Sequence, residues 1–235
     1  GNAYRLKGQK IFISWGDHNL TENIIYLVLA RLPESPSGSK GISLFIVPKF
    51  LPNKLGELIT RNDVQCVALE AKLGIHASPT CVMEFGADDG AKGWLIGEPN
   101  RGLATMFTMM NSARLAIGHE GLGISERAYQ QAKSYAKERL QGEDHEGNPS
   151  TLIGFLDVRR MLLSMKARIE AMRALCYDAG LSVDLAAHHP DEAIRILHKD
   201  RVGLLTPIVK AWCTDGAVEV TSTNIQIHGG IGYIE

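Results

Sequence analysis

The hydrophobic period of this chain changes once, near Gly97, and that change limits the folds open to it. Before it, apolar residues come in short or alternating runs: "AYRLKG", "KIFISW", "IIYLVLARL", "GISLFIVPKF", "VQCVALEAKL", "TCVMEF" and "GWLIG". Runs of this length and period read as β-strands. The separators "PESPSGSKG" and "LPNKLGE" hold the Pro, Gly, Ser and Asn of surface loops. No helical stretch alternates with the strands, which argues against a parallel βαβ sheet and predicts an antiparallel sandwich or barrel.

From Asn100 onward the spacing is helical. Leu103, Phe107, Met110, Arg114 and Ile117 recur along one face, and the pattern runs to Leu140 with only glycines interrupting it. One long helix is expected there, with a bend at Gly118 to Gly123. The stretch "QGEDHEGNPS" reads as a polar loop. A second helix of about thirty residues, or roughly 45 Å, is expected to start at Asp157 as N-cap and to end at His188 and His189, before Pro190. A third is expected with Pro207 near its start and the glycines after His228 as its stop signal. The expected architecture is α+β: an antiparallel β module over residues 1–97, then an antiparallel helical bundle over residues 98–235.

With 45% of its 235 residues hydrophobic, the chain can bury a substantial core. Basic and acidic side chains number 25 and 26, so net charge gives no reason to expect nucleic acid or an anionic membrane surface as partner. No apolar run reaches the roughly 18 residues that span a bilayer. The opening residues "GNAYRLKGQK" have neither an initiator Met nor a signal-peptide pattern, so a segment of a longer protein is expected. Cys66, Cys81, Cys176 and Cys213 form no C-x-x-C pair and read as buried free thiols of a reducing compartment. The eight histidines show no metal-ligand spacing, and no metal site is expected.

Two glycine clusters stand out. "GHEGLG" (Gly118, Gly121, Gly123) lies within the first helical stretch and reads as close helix packing. "GGIG" (Gly229, Gly230, Gly232) follows the third, and a C-cap accounts for one of its glycines, not three. Neither follows a strand and opens a helix, as a dinucleotide-binding G-x-G-x-x-G must. Met106, Met109 and Met110, with Phe107, read as core, although thioethers also suit a flexible aliphatic ligand. Arg114 on that face either reaches solvent or meets an anionic or carbonyl-bearing group. No nucleophile elbow or paired carboxylates are evident, and spacing alone names no reaction.

Four strings, in order, resemble the acyl-CoA dehydrogenases. "LKGQKIFISWG" is similar to that family's G-x-K-x-[WF]-I-[TS]-x-G segment, and "KLGIHASPTCVMEF" to its K-x-G-x-x-x-S-x-T-x-x-x-F strand pair. "GEPNRGLATMFTMMNSARLAIG" resembles the entry into the first long helix of the C-terminal domain, and "QIHGGIGY" the Q-x-x-G-G-x-G-[YF] segment. "ISWGDHNLTENIIYLVLARLP", "GISLFIVPKFLPN" and "FTMMNSARLAIG" look most like the larger bacterial branch that includes 3-(methylthio)propanoyl-CoA dehydrogenase.

The resemblance implies an FAD-dependent oxidoreductase that forms a trans-2-enoyl-CoA, in cytoplasmic fatty-acid β-oxidation. An electron-transferring flavoprotein would be its acceptor and a homodimer or homotetramer its assembly. It places Phe12 against the flavin ring and the Ser14 hydroxyl at the flavin N5 and O4 edge. It places Arg139 on the FAD pyrophosphate and has Gln226, Gly229 and Gly230 reach the FAD of a neighbouring subunit. Arg114, Met110, Phe107 and Leu103 would line or back the acyl channel. Where the family has a Phe-Gly pair soon after that arginine, "RLQG" is shorter and lacks the aromatic. The family's catalytic glutamate is expected beyond Glu235, and the alternative position for it holds Ala113. An oxidase, a nitroalkane-oxidising flavoprotein and a non-catalytic binding module on the same scaffold remain open alternatives.

Overall fold

The structure is a computed structural model and describes residues 3–234. Glu235, named above in connection with the catalytic base, lies outside the described residues. The chain forms two compact units, one ending at Met109 and the other beginning at Met110.

Among the described residues the first unit is built from nine strands. They are β1 (Ala3–Leu6), β2 (Gly8–Ser14), β3 (Ile25–Arg31), β4 (Ile42–Pro48), β5 (Phe50–Pro52), β6 (Leu58–Arg61), β7 (Val64–Leu69), β8 (Thr80–Phe85) and β9 (Ala91–Ile96). A four-stranded sheet has the order β1-β9-β4-β3, a three-stranded sheet the order β2-β8-β7, and β5 pairs with β6. Every pairing is antiparallel. Alternation does the sorting: in β8, Cys81, Met83 and Phe85 point inward, and they share one core with Tyr26, Val28, Phe45 and Val47 of the other sheet. That is the expected antiparallel sandwich.

The hairpin β5–β6 was not expected, since "LPNKLGE" reads as loop. Its tip does hold loop residues, with Asn53 Oδ1 accepting from the N–H groups of Leu55 and Glu57. The flanking strands are too short to show a period. At the base of this hairpin the buried Asn62 side chain donates to the Pro48 and Lys92 carbonyls and accepts from the Lys92 N–H. Beside it, Asp63 Oδ2 accepts from the N–H groups of Asp88, Asp89 and Gly90. The Gly90 N–H leads in holding that carboxyl below its ordinary pKa.

The helices are α1 (Gly102–Glu138), α2 (Leu156–His188), α3 (Glu192–His228) and the single turn α4 (Gly230–Tyr233). The division between units falls within α1 because its first turns pack on the sheet. A Cβ on Gly102 would lie 2.3 Å from the Ser43 carbonyl carbon, and Met106 is buried. From Met110 onward α1 belongs to the helical unit, whose core follows heptad-like spacing: Met165, Ile169, Met172, Cys176 and Ala179 of α2 meet Leu205, Val209, Cys213 and Val220 of α3. Ala128, Ala132 and Ala136 bring α1 against the same core.

Three local expectations are corrected. The α2 N-cap is Phe155, and Asp157 sits inside the first turn, paired with Arg160 at 2.8 Å, where its charge still favours the helix N-terminus. Pro207 lies well inside α3, not near its start. Pro207 and Gly203 are both exposed, so water can satisfy the carbonyl that the missing N–H leaves free. The polar stretch after Arg139 is a hairpin, β10 (Leu140–Glu143) with β11 (Pro149–Thr151). Asp144 Oδ1 closes its turn by accepting from the Glu146 and Asn148 N–H groups, with Gly147 at φ +81°.

Among the described residues no helix is long and apolar enough to cross a membrane, and no three His, Cys, Asp or Glu side chains gather as a metal-binding group. The cysteines come together in two pairs: Cys66, which is half-buried, meets Cys81 across β7 and β8, and Cys176 meets Cys213 across α2 and α3. Cys176 and Cys213 are buried with their Sγ atoms 3.8 Å apart, and burial pushes the Cys213 thiol up to about 12. Thiols so protonated are poor nucleophiles.

Candidate functional site

The first candidate region is the end of β2. Its ladder with β8 pairs Lys10 with Met83 and Ile13 with Cys81, so β2 carries one extra residue there. A bulge of this kind re-aims side chains at a sheet edge. Phe12 sits at φ +60° and is 66% exposed, and Trp15, just after the strand, sits at φ +55°. Left-handed backbone is uncommon for a bulky residue and costs of order 1–3 kcal/mol. Between them Ile13 turns toward the core, while Phe12 and Ser14 face outward. The sequence-derived pair thus stands exposed on one edge.

That edge rests on a fixed base. Gly16 is buried so tightly that a Cβ would lie 2.7 Å from Met83 Sδ. The Tyr26 hydroxyl donates to the Gly16 carbonyl at 2.8 Å, and burial pushes the phenol's pKa up, so it stays a donor. The Trp15 N–H donates to the Pro79 carbonyl at 2.9 Å. Asp17 pairs with Lys49 at 2.6 Å and with Arg61 at 3.1 Å.

Burial raises the Asp17 carboxyl, but hydrogen bonds from Lys49 and Arg61 outweigh it and leave the pKa below 3.8. A depressed pKa contributes stability that is complete above the unfolded value and lost as pH falls through the folded one. Thermal melts from about pH 7 to about pH 3 should therefore show a gap between wild type and Asp17→Asn that is constant above about pH 5 and closes below about pH 4. A gap independent of pH would mean that ionisation of Asp17 contributes nothing.

The second region lies in the helical unit. Tyr135 of α1 and His228 of α3 stack with centroids 4.4 Å apart. Arg139 follows Tyr135 by one turn, and Gly229 follows His228 directly, so the end of α1 and the end of α3 are neighbours. The stack thus sets the last turn of α1, which leads to Arg139, beside the last turn of α3, which leads to Gly229. The Arg139 and Gln226 side chains are exposed, and a Cβ on Gly229 or Gly230 would meet no atom within 4 Å. Gly229 caps α3 at φ +62°, a conformation that favours glycine. Gly232 has a different role: its Cβ would strike the Ile225 carbonyl at 2.7 Å, so this glycine lets α4 fold back onto α3. Tyr135 and His228 escaped the sequence reading because nothing in either helix pattern announces a cross-helix stack.

Leu103, Phe107, Met110 and Arg114 recur on α1 at spacings of four, three and four, as expected. Leu103 and Arg114 are half-buried. The reading of the methionines as core holds for Met106 alone; Phe107, Met109 and Met110 are 39%, 49% and 39% exposed. Ala113 is exposed and carries no titratable group.

Residues 100–235 match the family model described as acyl-CoA dehydrogenase, C-terminal domain. Over 99% of its length the chain is 51% identical to a 3-methylmercaptopropionyl-CoA dehydrogenase of Ruegeria pomeroyi and covers 40% of that protein. It is 40% identical to a butyryl-CoA dehydrogenase of Syntrophomonas wolfei over 99% of its length, covering 39% of that relative. Among solved structures, ACDH-11 of Caenorhabditis elegans, in complex with C11-CoA, matches the whole chain with a TM-score of 0.79 at 28% identity, and the chain covers 36% of it. The chain thus spans about 40% of the length of the curated relatives it matches.

Proposed function

The chain belongs to the acyl-CoA dehydrogenase family, and from that premise we propose that the whole protein oxidises an acyl-CoA thioester to the trans-2-enoyl-CoA with FAD as cofactor. The observation that carries this reading is the bulge in β2. It places an exposed aromatic ring and an exposed hydroxyl on one edge, at the cost of left-handed backbone at Phe12.

Those residues fit a flavin. Phe12 would offer a face to the isoalloxazine, and Ser14 a donor to its N5 and O4 edge. The exposed Arg139 fork suits a pyrophosphate, and the open backbone at Gly229 and Gly230 admits a close approach by the same group. When bound, FAD supplies the hydride acceptor. The protein's own contribution is to orient the cofactor and to bind the acyl chain along the α1 face of Leu103, Phe107, Met110 and Arg114. Ala113 cannot take the α-proton, so α1 offers no base at that position.

We further infer that Arg139 and the Gln226–Gly230 segment reach the cofactor of a neighbouring subunit, in a homodimer or homotetramer. An electron-transferring flavoprotein is the acceptor that the family resemblance implies. Cytoplasmic placement rests on the four cysteines, all of them free.

The test is the anaerobic visible spectrum of the full-length protein with 3-methylmercaptopropionyl-CoA, butyryl-CoA and longer thioesters. Bleaching of the flavin bands supports the reading; bound flavin that no thioester bleaches overturns it. In the same assay Ser14→Ala should slow flavin reduction about tenfold with little change in acyl-CoA affinity, the loss of one donor to a developing charge. An unchanged reduction rate would remove Ser14 from the site.

A further inference from the structure

The Lys49 side chain is only 9% exposed. A buried ammonium costs several kcal/mol unless well paired, and apolar replacements of a buried ion pair are often neutral or stabilising. Lys49 lies over the Phe50 ring, 5.5 Å from its centroid, and directs its two polar contacts to Asp17 and His18, three and four residues after Ser14. Its Nζ pairs with Asp17 Oδ1 at 2.6 Å and donates to the His18 carbonyl at 2.6 Å. Its own backbone is fixed in turn, with the Lys49 N–H donating to the Ile24 carbonyl at 2.8 Å. Arg61 holds the other oxygen of Asp17.

These contacts close on a segment held at its start by the Trp15 N–H on the Pro79 carbonyl and the Tyr26 hydroxyl on the Gly16 carbonyl, and beyond Gly16 by Lys49 and Arg61. Trp15 to His18 belongs to no strand or helix, and Trp15 is in left-handed backbone. Strained φ values persist only where the surroundings over-determine them. We propose that Lys49, acting through Asp17 and the His18 carbonyl, is a positioning residue that holds the Phe12–Trp15 turn in the conformation presenting the Phe12 ring and the Ser14 hydroxyl. The functional side of the proposal rests on the reading that this edge meets the flavin.

The experiment compares Lys49→Met, the double variant Asp17→Asn/Lys49→Met and Asp63→Asn in the full-length, flavin-loaded protein. The double variant leaves neither charge of the pair behind, so it covers the case in which Lys49→Met alone fails to fold. Asp63→Asn is the fold control, because the Asp63 carboxylate caps the Asp88–Gly90 turn by accepting from three backbone N–H groups. The readouts are amide hydrogen exchange of residues 12–18, FAD content, and the flavin reduction rate at saturating acyl-CoA together with KM.

The Lys49 variants should exchange at residues 12–18 about tenfold faster. They should also reduce flavin about tenfold more slowly at saturation, with FAD content and KM near wild type. Asp63→Asn should lower the melting temperature while leaving exchange in that segment and the reduction rate unchanged. Unchanged exchange in the Lys49 variants overturns the proposal, as does equal slowing in Asp63→Asn. If the wild-type protein holds no flavin or no thioester reduces it, the flavin reading is what fails; faster exchange then upholds the clamp, and unchanged exchange overturns it.

Discussion

Gly121→Leu should unfold the helical unit under conditions where the wild-type chain stays folded. An ideal Cβ at position 121 would lie 2.8 Å from the Cys213 carbonyl oxygen and 3.1 Å from its carbon. One turn earlier, a Cβ on Gly118 would lie 2.5 Å from Val209 Cγ1. The α1 backbone is therefore seated directly on that of α3, and the obstacle at 121 is main chain, which cannot rotate away. Overpacking a core commonly costs about 1–3 kcal/mol where side chains can adjust. Here the helices must separate, unseating Val209, Cys213 and Val220, all of them buried. Against a total stability of about 5–15 kcal/mol, that loss is large.

Gly123→Leu supplies the comparison. Gly123 is exposed and a Cβ there would meet nothing within 4 Å, so that variant should be as stable as wild type or gain up to about 1 kcal/mol from helix propensity. Denaturant unfolding followed by circular dichroism decides between them. A Gly121→Leu midpoint close to that of Gly123→Leu would mean that α1 and α3 do not meet as described.

What the sequence disclosed, and what it hid, follows from how local each signal is. The change of period near Gly97 was legible because alternation and helical spacing are set by neighbours in the chain, and the sandwich and the long helices follow from it. Packing of Gly118 and Gly121 was legible in kind, since glycines inside a helix need a reason, but their partners on α3 were not. The hairpins β5–β6 and β10–β11 were missed because their strands are short or wholly exposed and so carry no alternation. Asp157 shows the limit of a cap rule: the residue type was right for a helix start, and the cap fell two positions earlier. The cysteine pair Cys176 and Cys213, and the stack of Tyr135 on His228, are tertiary facts without a local signature. The same holds for Lys49, whose ammonium meets Asp17 and His18 just beyond the strand that carries Phe12 and Ser14.

Arg139→Ala should lower the affinity of the full-length protein for FAD about 100-fold, the loss expected for two charge-assisted hydrogen bonds from one guanidinium. The fold should be indifferent to the change. The Arg139 side chain is exposed, and the contacts that place the residue are made by its backbone: its N–H donates to the Tyr135 carbonyl and its carbonyl accepts from the Leu152 N–H, each at 2.9 Å. Alanine preserves both. A loss of flavin with unchanged melting of the apoprotein therefore isolates the guanidinium. Arg139→Lys sharpens the test, because an ammonium restores the charge without the planar fork and should recover only part of the affinity. The missing aromatic in "RLQG" bears on the same loop: Phe155 approaches Gly142 of β10 so closely that a Cβ there would lie 3.1 Å from its ring. An aromatic side chain thus packs at this loop from a different position in the chain. If flavin titration gives Arg139→Ala the wild-type affinity, Arg139 is a solvated surface residue and the cofactor contact at the end of α1 is lost from the assignment. The Phe12 and Ser14 edge, which sits in the other unit and is tested by its own variant, would stand or fall separately.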